Sequence, residues 1–237
     1  MKYSLCLNYR MIYISGIISL IIQLIVGVID YLALKIELDS KDQLLKDLLE
    51  VELAVQVVEF IFYVWLIYYF NQVSRNITPF RYVDWAVTTP LMLITLSAFL
   101  QHDGTTTNRL SDFLSNHTAS IIHIVLLNAA MLLCGLIGEL GYLSHYTSTA
   151  LGFIPFALNF TYIKETFLPS SEDTFKNAVF YWFVFFWGLY GVFALMKYTI
   201  KNTGYNILDI FAKNFFGLFL AYVIWSKSQT ATAPVRL

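Results

Sequence analysis

The chain has 237 residues, of which 58% are hydrophobic and 13% are charged, and its mean hydropathy is +0.63. A soluble domain is usually about 45–50% apolar and about 25% charged, so these values exclude an ordinary soluble globular protein. The formal net charge of −1 provides no basic excess, and we expect no nucleic-acid partner.

Apolar residues recur along the chain in seven blocks of roughly 20 residues, the length that a helix needs to span a bilayer. Since the hydrocarbon core has no water to satisfy peptide groups, spans of this length must be helical. We therefore predict an all-α membrane protein, a seven-transmembrane-helix bundle that forms one domain over residues 1–237. The blocks cover residues 11–34, 51–70, 80–100, 119–140, 146–167, 175–200 and 206–227.

The segment IELDSKDQLLKDLLE, residues 36–50, differs from the other connections. Most of its leucines fall on one helical face, with acids and lysines opposite; they are Leu38, Leu44, Leu45, Leu48 and Leu49. The pattern predicts a short amphipathic helix between the first two spans, lying at the membrane interface. A solvated extension of the second helix explains the pattern equally well.

Lysine and arginine residues indicate the orientation, because cytoplasmic loops carry more of them. With the N-terminus outside, the inner segments hold eight of these residues and the outer segments hold five. The inner set is Lys35, Lys41, Lys46, Arg109, Lys164, Lys176, Lys227 and Arg236, and the outer set is Lys2, Arg10, Arg75, Lys197 and Lys201. We therefore expect the N-terminus outside and the C-terminus inside.

Ionisable residues inside membrane spans are costly and usually functional. Those that direct the interpretation are Glu52, Glu59, Arg81, Asp84, Asp209 and Lys213. Asp209 and Lys213 are four residues apart, so they share a face of the seventh span, and Arg81, Asp84 and Thr88 share a face of the third. The economical arrangement buries this set inside the bundle, with one cation facing two carboxylates. The alternative is a charge cluster that only holds helices together.

A buried lysine is also a reactive amine, because it can condense with an aldehyde to give a Schiff base. Nearby carboxylates would keep that Schiff base protonated. The aromatic residues Trp85, Trp187 and Tyr190 suit a long, flat, apolar ligand, although such residues often serve only helix packing.

Four motifs together resemble those of microbial rhodopsins. RYVDWAVTTPL (81–91) resembles their third helix, and LDIFAK (208–213) resembles their seventh, where the lysine binds retinal. FFWGLYG (185–191) is similar to their sixth-helix aromatic stretch, with Gly191 where a proline is usual. NAAMLLCG (128–135) is similar to their fourth-helix pattern, with Asn128 in place of an acid. The resemblance covers all seven helices and implies all-trans-retinal as the cofactor.

The resemblance also implies a role for each matching residue. Retinal would be bound on Lys213 as a Schiff base, with Asp84 as counterion and proton acceptor and Asp209 as second counterion. Other members of this proton-transfer group would be Arg81 and Thr88. The retinal site would be completed by Trp85, Thr89, Met131, Gly135, Trp187 and Tyr190, and Tyr63 and Tyr190 would hydrogen-bond around Asp209.

The second span carries a polar stripe at spacings of four, three and four, formed by Glu52, Gln56, Glu59 and Tyr63. Asn214 follows the lysine directly, as in the Lys-Asn pair of channelrhodopsins. By that resemblance, Ser19, Glu59 and Asn214 would form a central gate, and Glu52 an inner one, with Tyr63 on the same pathway. Carboxylate-lined pores favour cations. Alternatively, Glu59 is a protonated interior residue and Glu52 a solvated residue near the interface.

Comparison with pumps that resemble bacteriorhodopsin argues against a fast pump of the familiar design, though not against a slow one. In those relatives a second carboxylate lies eleven residues beyond the position of Asp84 and reprotonates the Schiff base, whereas this sequence has Thr95 there. The outer stretch KYTIKNTGY (197–205) contains no acid that could release a proton. The sequence looks most like the small rhodopsins of large algal viruses, of which one branch is expected to be channels and others pumps.

We therefore predict an integral, multi-pass membrane protein that acts as a light-gated cation channel. The alternatives are a light-driven outward proton pump and a photosensor that signals through a partner at the inner loop 101–118. An enzyme is not expected, nor a metal site. The partners would be the lipid bilayer and the transported cations or protons. The membrane would be that of the host cell if the source is viral. The sequence leaves open whether the protein forms a homo-oligomer.

Overall fold

The computed structural model describes residues 9–105, 109–168 and 173–232. This part of the chain is helical and contains no strand, which confirms the all-α fold. Its seven long helices are α1 (Arg10–Ala33), α2 (Gln43–Tyr68), α3 (Thr78–Gln101), α4 (Thr118–Glu139), α5 (His145–Phe167), α6 (Thr174–Ala194) and α7, which consists of Tyr198–Asp209, Ile210–Asn214 and Phe215–Thr232. Short helical turns lie at Ser40–Asp42, Phe70–Val73 and Leu110–Asn116.

Most of the seven helices meet the requirements of a membrane span. All except α5 are long and apolar enough to cross a bilayer. The outer surface carries many exposed apolar side chains, such as Leu24, Val83 and Leu126. In water such a surface would be unfavourable, so it marks the face that contacts lipid. The N-outside orientation stays a prediction. Of the basic residues counted for it, Lys2 and Arg236 lie outside the described ranges.

The helices pack in chain order into a closed ring. Each helix contacts the next one, and α7 returns to pack against α1 and also against α2. This closure turns the polar stripes of α1, α2, α3 and α7 toward a common interior.

The predicted interfacial helix at 36–50 does not exist as a separate element. Residues from Gln43 onward form the first turns of α2. The leucines at positions 44, 45, 48 and 49 are buried in the main apolar core, together with Phe99 and Phe113. The alternative interpretation, an extension of the second helix, is correct, but this extension is not solvated as expected. The end of α3 and the turn at Leu110–Asn116 cover its apolar face.

Helix α7 begins well before the predicted seventh block, at Tyr198 instead of residue 206. Hydropathy fails here because the first turns of α7 bury polar side chains, among them Lys201, Asn202 and Asn206. These residues find ion-pair or hydrogen-bond partners inside the bundle. The segment Ile210–Asn214 then widens into a π-helical turn. Such turns are frequent at functional sites, and this one carries Lys213.

Candidate functional site

Lys213 is buried among three carboxylates. Its Nζ donates a hydrogen bond of 2.6 Å to Asp84 Oδ2 and lies 3.9 Å from both Asp209 Oδ1 and Glu59 Oε1. All four side chains are at most 2% exposed. The expectation of one cation facing two carboxylates was therefore incomplete, because Glu59, assigned to a gate, also belongs to the charge cluster of the lysine.

Asp209 is held by three donors. Tyr63 donates a hydrogen bond of 2.6 Å to Oδ2, Tyr190 donates one of 2.7 Å to Oδ1, and Arg81 Nη1 lies 3.4 Å from Oδ2. The predicted contacts of both tyrosines with Asp209 are confirmed. In contrast, Asp84 Oδ1 has no hydrogen-bond partner among the described residues. Asp209 is therefore the more fully hydrogen-bonded of the two carboxylates.

Arg81 is fully buried and joins α3 to α7. Its guanidinium donates to the side chain of Asn206, and to Asn202 both at the side-chain oxygen (3.2 Å) and at the carbonyl (3.3 Å). Asn206 in turn donates to Ser15 on α1 at 2.8 Å. With every group ionised, the two cations Arg81 and Lys213 face the three carboxylates at positions 59, 84 and 209, so the cluster has one excess negative charge.

A mainly apolar cavity adjoins Lys213 between α3, α4, α5, α6 and α7. Every residue predicted to bind the cofactor lines it: Trp85, Thr89, Met131, Gly135, Trp187, Tyr190 and Lys213. Ser148, Thr149 and Gly152 of α5 complete the wall. At Gly135 a side chain would collide with the hydroxyl of Tyr82, which explains the glycine. An apolar, aromatic-lined cavity with a single amine fits a long hydrophobic aldehyde.

The two predicted threonines of α3 contact the backbone rather than the charge cluster. Thr88 donates to the carbonyl of Asp84 at 3.0 Å, and Thr89 donates to the carbonyl of Trp85 at 2.6 Å. Asn128 of α4 donates to the Thr89 hydroxyl at 2.8 Å. The asparagine at the position of the usual acid therefore ties α4 to α3 beside the cavity.

The structure brings Ser19, Glu59 and Asn214 into the buried interior but joins none of them to another by a hydrogen bond. Ser19 accepts from Gln23 at 3.2 Å, and Asn214 donates to the Asp209 carbonyl at 3.4 Å. Neither carboxylate oxygen of Glu59 has a hydrogen-bond partner among the described residues. The three residues do not form a hydrogen-bonded gate in this state.

Glu52 is buried, with only 1% of its surface exposed, so the alternative of a solvated residue near the interface is wrong. The Thr95 hydroxyl donates a hydrogen bond of 2.5 Å to Glu52 Oε1. The threonine at the position of the usual carboxylate is thus paired with a carboxyl group from the neighbouring helix.

Two buried polar pairs were missed by the sequence interpretation. Asp30 of α1 is fully buried and accepts a hydrogen bond of 2.6 Å from Gln56. Lys201 of α7 forms an ion pair with Glu139 of α4, with distances of 2.6 and 2.8 Å. An acid inside the first apolar block was the available signal for Asp30. The second pair had no signal, because Glu139 lies 62 residues from Lys201.

Together, the helix ring, the buried lysine among carboxylates and the aromatic cavity define a seven-helix membrane protein built around one reactive amine. A family model described as bacteriorhodopsin-like protein matches residues 12–227. The chain therefore belongs to the bacteriorhodopsin-like family, whose members bind retinal as their chromophore. It is an integral, multi-pass membrane protein. The family consists of light-driven transporters and pumps and is generally not enzymatic.

Solved structures confirm the microbial rhodopsin fold. The viral rhodopsin OLPVRII has a TM-score of 0.79 and 28% identity, over 91% of this chain and 98% of that one. A blue light-absorbing proteorhodopsin from Med12 has a TM-score of 0.72 and 21% identity, over 92% and 98%. Halorhodopsin from Halobacterium salinarum has a TM-score of 0.69 and 13% identity, over 94% and 97%. No curated protein sequence matches the chain significantly.

Proposed function

We propose that the chain is a light-gated cation channel whose pathway runs between α1, α2, α3 and α7. The observation that carries this proposal is a series of buried side-chain oxygens without hydrogen-bond partners among the described residues. On α1, α2 and α7 these include Gln23 Oε1, Asp30 Oδ1, Glu52 Oε2, Gln56 Oε1, both Glu59 oxygens and Asn214 Oδ1. A pathway lined by acceptors attracts cations and repels anions.

The residues around Lys213 support a mechanism of opening. Retinal held on Lys213 would supply light absorption and a light-driven change of shape beside the lysine nitrogen. Asp84 Oδ2, at 2.6 Å from Nζ, is placed to accept the proton that this nitrogen holds. Asp209 is less suited to accept it, since Tyr63, Tyr190 and Arg81 stabilise its charge.

Loss of the positive charge at Lys213 changes the surroundings of Glu59. In the structure Lys213 Nζ lies 3.9 Å from Glu59 Oε1, and neither Glu59 oxygen has a hydrogen-bond partner among the described residues. Once the lysine nitrogen is neutral, a charged Glu59 is left buried without compensation, which is strongly unfavourable. Movement of Glu59 toward water or a cation relieves this cost, and we propose that this movement opens the central part of the pathway near Ser19 and Asn214.

A voltage-clamp experiment tests the proposal. Light-induced current is measured in cells supplied with all-trans-retinal, over a range of voltages and under two cation gradients. A current that changes sign, at a potential that follows the cation gradient, supports the channel. A current that stays outward at every voltage contradicts it. The Asp84→Asn variant serves as a control, because it removes the proposed proton acceptor in either case.

A light-driven outward proton pump is the second candidate, and the pair of Glu52 and Thr95 favours it. Thr95 stands where related pumps carry the carboxylate that reprotonates the lysine nitrogen. Glu52 brings a buried carboxyl group to that position at 2.5 Å. If Glu52 donates this proton, the absence of an acid at position 95 is no obstacle to pumping. A photosensor, the third possibility, would show a photocycle without any current.

A further inference from the structure

A second polar site lies between α1, α2 and α7, away from Lys213. Asp30 of α1 is fully buried, and Gln56 of α2 donates a hydrogen bond of 2.6 Å to its Oδ2. Glu52 is one helical turn from Gln56 and faces the same way. Along α2, Glu52 is seven residues from Glu59, which corresponds to roughly 10 Å toward the predicted inner end.

The glycine at position 217 leaves room for this site. A Cβ atom at Gly217 of α7 would collide with Asp30 Oδ2 and lie 2.9 Å from Gln56 Nε2. A Cβ atom at Gly27 of α1 would lie 3.5 Å from Gln56 Oε1. A larger residue at position 217 would therefore displace the carboxylate of Asp30. Gly217 thus places the α7 backbone against the side chains of Asp30 and Gln56.

Three oxygens of the site have no hydrogen-bond partner within the described part of the chain: Asp30 Oδ1, Gln56 Oε1 and Glu52 Oε2. Their side chains are 0, 3 and 1% exposed. Within the same part of the chain, neither acid forms an ion pair with lysine, arginine or histidine, in contrast to the three acids around Lys213. A buried carboxylate needs compensation by a proton or by a cation.

The chemistry of the three oxygens favours a cation over a proton. Two carboxylates and an amide carbonyl form a hard oxygen set of the kind that binds alkali and alkaline-earth ions. The amide of Gln56 neither takes up nor releases a proton at ordinary pH, so it adds nothing to a proton relay. Conduction also requires binding weak enough for release, which favours a monovalent over a divalent ion.

We propose that Asp30, Gln56 and Glu52 form a binding site for an alkali-metal cation such as Na⁺, on the inner side of Lys213. The ligands are Asp30 Oδ1, Gln56 Oε1 and Glu52 Oε2. This inference rests on the proposed channel function. It adds a position at which the ion binds, beyond the central residues Ser19, Glu59 and Asn214. Gly217 is the positioning residue, since its lack of a side chain allows Asp30 to face Gln56.

The test uses the purified, retinal-loaded protein in the dark, so that it does not depend on transport. Infrared difference spectra are recorded while Na⁺ replaces N-methyl-D-glucamine at constant ionic strength. We expect Na⁺-dependent carboxylate bands that saturate. In Asp30→Asn the bands should be lost, or half-saturation should need about 10–100-fold more Na⁺, the usual effect of weakening a metal site. Glu50→Gln, which changes an exposed acid on α2, the helix of Gln56 and Glu52, should leave the bands unchanged.

Gly217→Ala provides a second variant that keeps every charge but crowds Asp30, and it should weaken Na⁺ binding in the same direction. An intact visible absorption band shows that each variant is folded. The proposal is overturned if the wild-type spectra do not depend on Na⁺, or if Asp30→Asn leaves their dependence unchanged. A carboxylic-acid band of Asp30 that persists at every Na⁺ concentration also overturns it, because the site then holds a proton.

Photocurrents recorded in parallel separate this inference from the proposed function. If the current never reverses but the dark Na⁺ bands vanish in Asp30→Asn, the site stands and the channel fails. If the current reverses with the cation gradient while Asp30→Asn changes neither the bands nor the Na⁺ dependence of the current, the channel stands and the site fails.

Discussion

The Thr95 hydroxyl on α3 donates a hydrogen bond of 2.5 Å to Glu52 Oε1 on α2. The bond places a buried carboxyl group beside the position from which related pumps reprotonate their lysine nitrogen. Glu52 can therefore act as an ion ligand in a channel or as a proton donor in a pump, and the two roles predict different effects of its removal.

Glu52→Gln should distinguish the two roles. As a channel residue, Glu52 contributes to cation binding, so the variant should lower Na⁺ photocurrent several-fold while the lysine nitrogen regains its proton at nearly the wild-type rate. Flash photolysis measures this rate. Removal of a positioned general acid usually slows proton transfer by about 10²–10⁴-fold. A slowing of that size would contradict the channel role and support the pump.

Asp84→Asn should slow light-induced loss of the proton from the lysine nitrogen by about 10²-fold or more, because the acceptor at 2.6 Å is removed. Time-resolved absorption measures the step. Thr88→Ala is a matched control on the same helix face, since the Thr88 hydroxyl bonds the backbone carbonyl of Asp84 and not its carboxylate. Equal slowing in both variants would show that the geometry of α3, and not the carboxylate, sets the rate.

Glu59→Gln should change ion selectivity while keeping the shape of the site. The side chain lies 3.9 Å from Lys213 and makes no hydrogen bond within the described structure, so the amide removes charge without breaking a network. We expect the reversal potential under a Na⁺ gradient to move away from the Na⁺ equilibrium value. Glu59→Ala should have a larger effect. Unchanged photocurrents and selectivity in both variants would rule out a gate at Glu59.

Part of this site was predictable because its signals are local in the sequence. The spacing of four between Asp209 and Lys213 placed them on one face, and the aromatic motifs indicated the cavity residues, which do line one cavity. The contacts of Tyr63 and Tyr190 with Asp209 followed from the resemblance.

Other features depend on how distant helices meet, and the sequence holds no local signal for that. The nearness of Glu59 to Lys213 requires α2 and α7 to pack at one particular height, and a π-helical turn places the lysine there. The early start of α7 was hidden for a similar reason. The sequence around Lys201 is typical of a loop, because its ion-pair partner, Glu139 of α4, lies 62 positions away.

The ion pair of Glu139 and Lys201 should stabilise the end of the bundle where α4 ends and α7 begins, the predicted outer end. Both side chains are less than 10% exposed, and His145 Nδ1 lies 3.8 Å from Glu139. Glu139→Gln leaves a buried lysine unpaired and should destabilise the protein by about 3–5 kcal/mol. The midpoint of thermal loss of the visible absorption band measures this. The double variant Glu139→Gln/Lys201→Met should recover much of the loss, and a double variant as unstable as the single one would contradict the assignment.

His102, the first residue after α3, should make this end of the bundle, the predicted inner end, sensitive to acid. Its pKa is lowered from the ordinary 6.5, chiefly because burial disfavours the charged imidazole. The charge of Asp42, whose Oδ1 lies 3.5 Å from Nε2, opposes this shift, but Asp42 also accepts a hydrogen bond from Lys227 at 3.1 Å. The charges of Lys227 and Lys176, which donates to the His102 carbonyl at 2.6 Å, lower the pKa further.

The sign of the effect follows from proton binding in the two states. Because the folded pKa lies below the unfolded one, the unfolded chain binds more protons in the window below about pH 6.5, and stability falls as the pH falls through it. Hydrogen exchange of the backbone around His102, measured from roughly pH 8 to pH 5 and corrected for intrinsic rates, should show weaker protection in acid. His102→Gln should remove this part of the pH dependence, while the other described histidines, at positions 117, 123 and 145, remain in both proteins. Protection that increases in acid would mean that Asp42 outweighs burial and that the charged imidazole is the stabilised form.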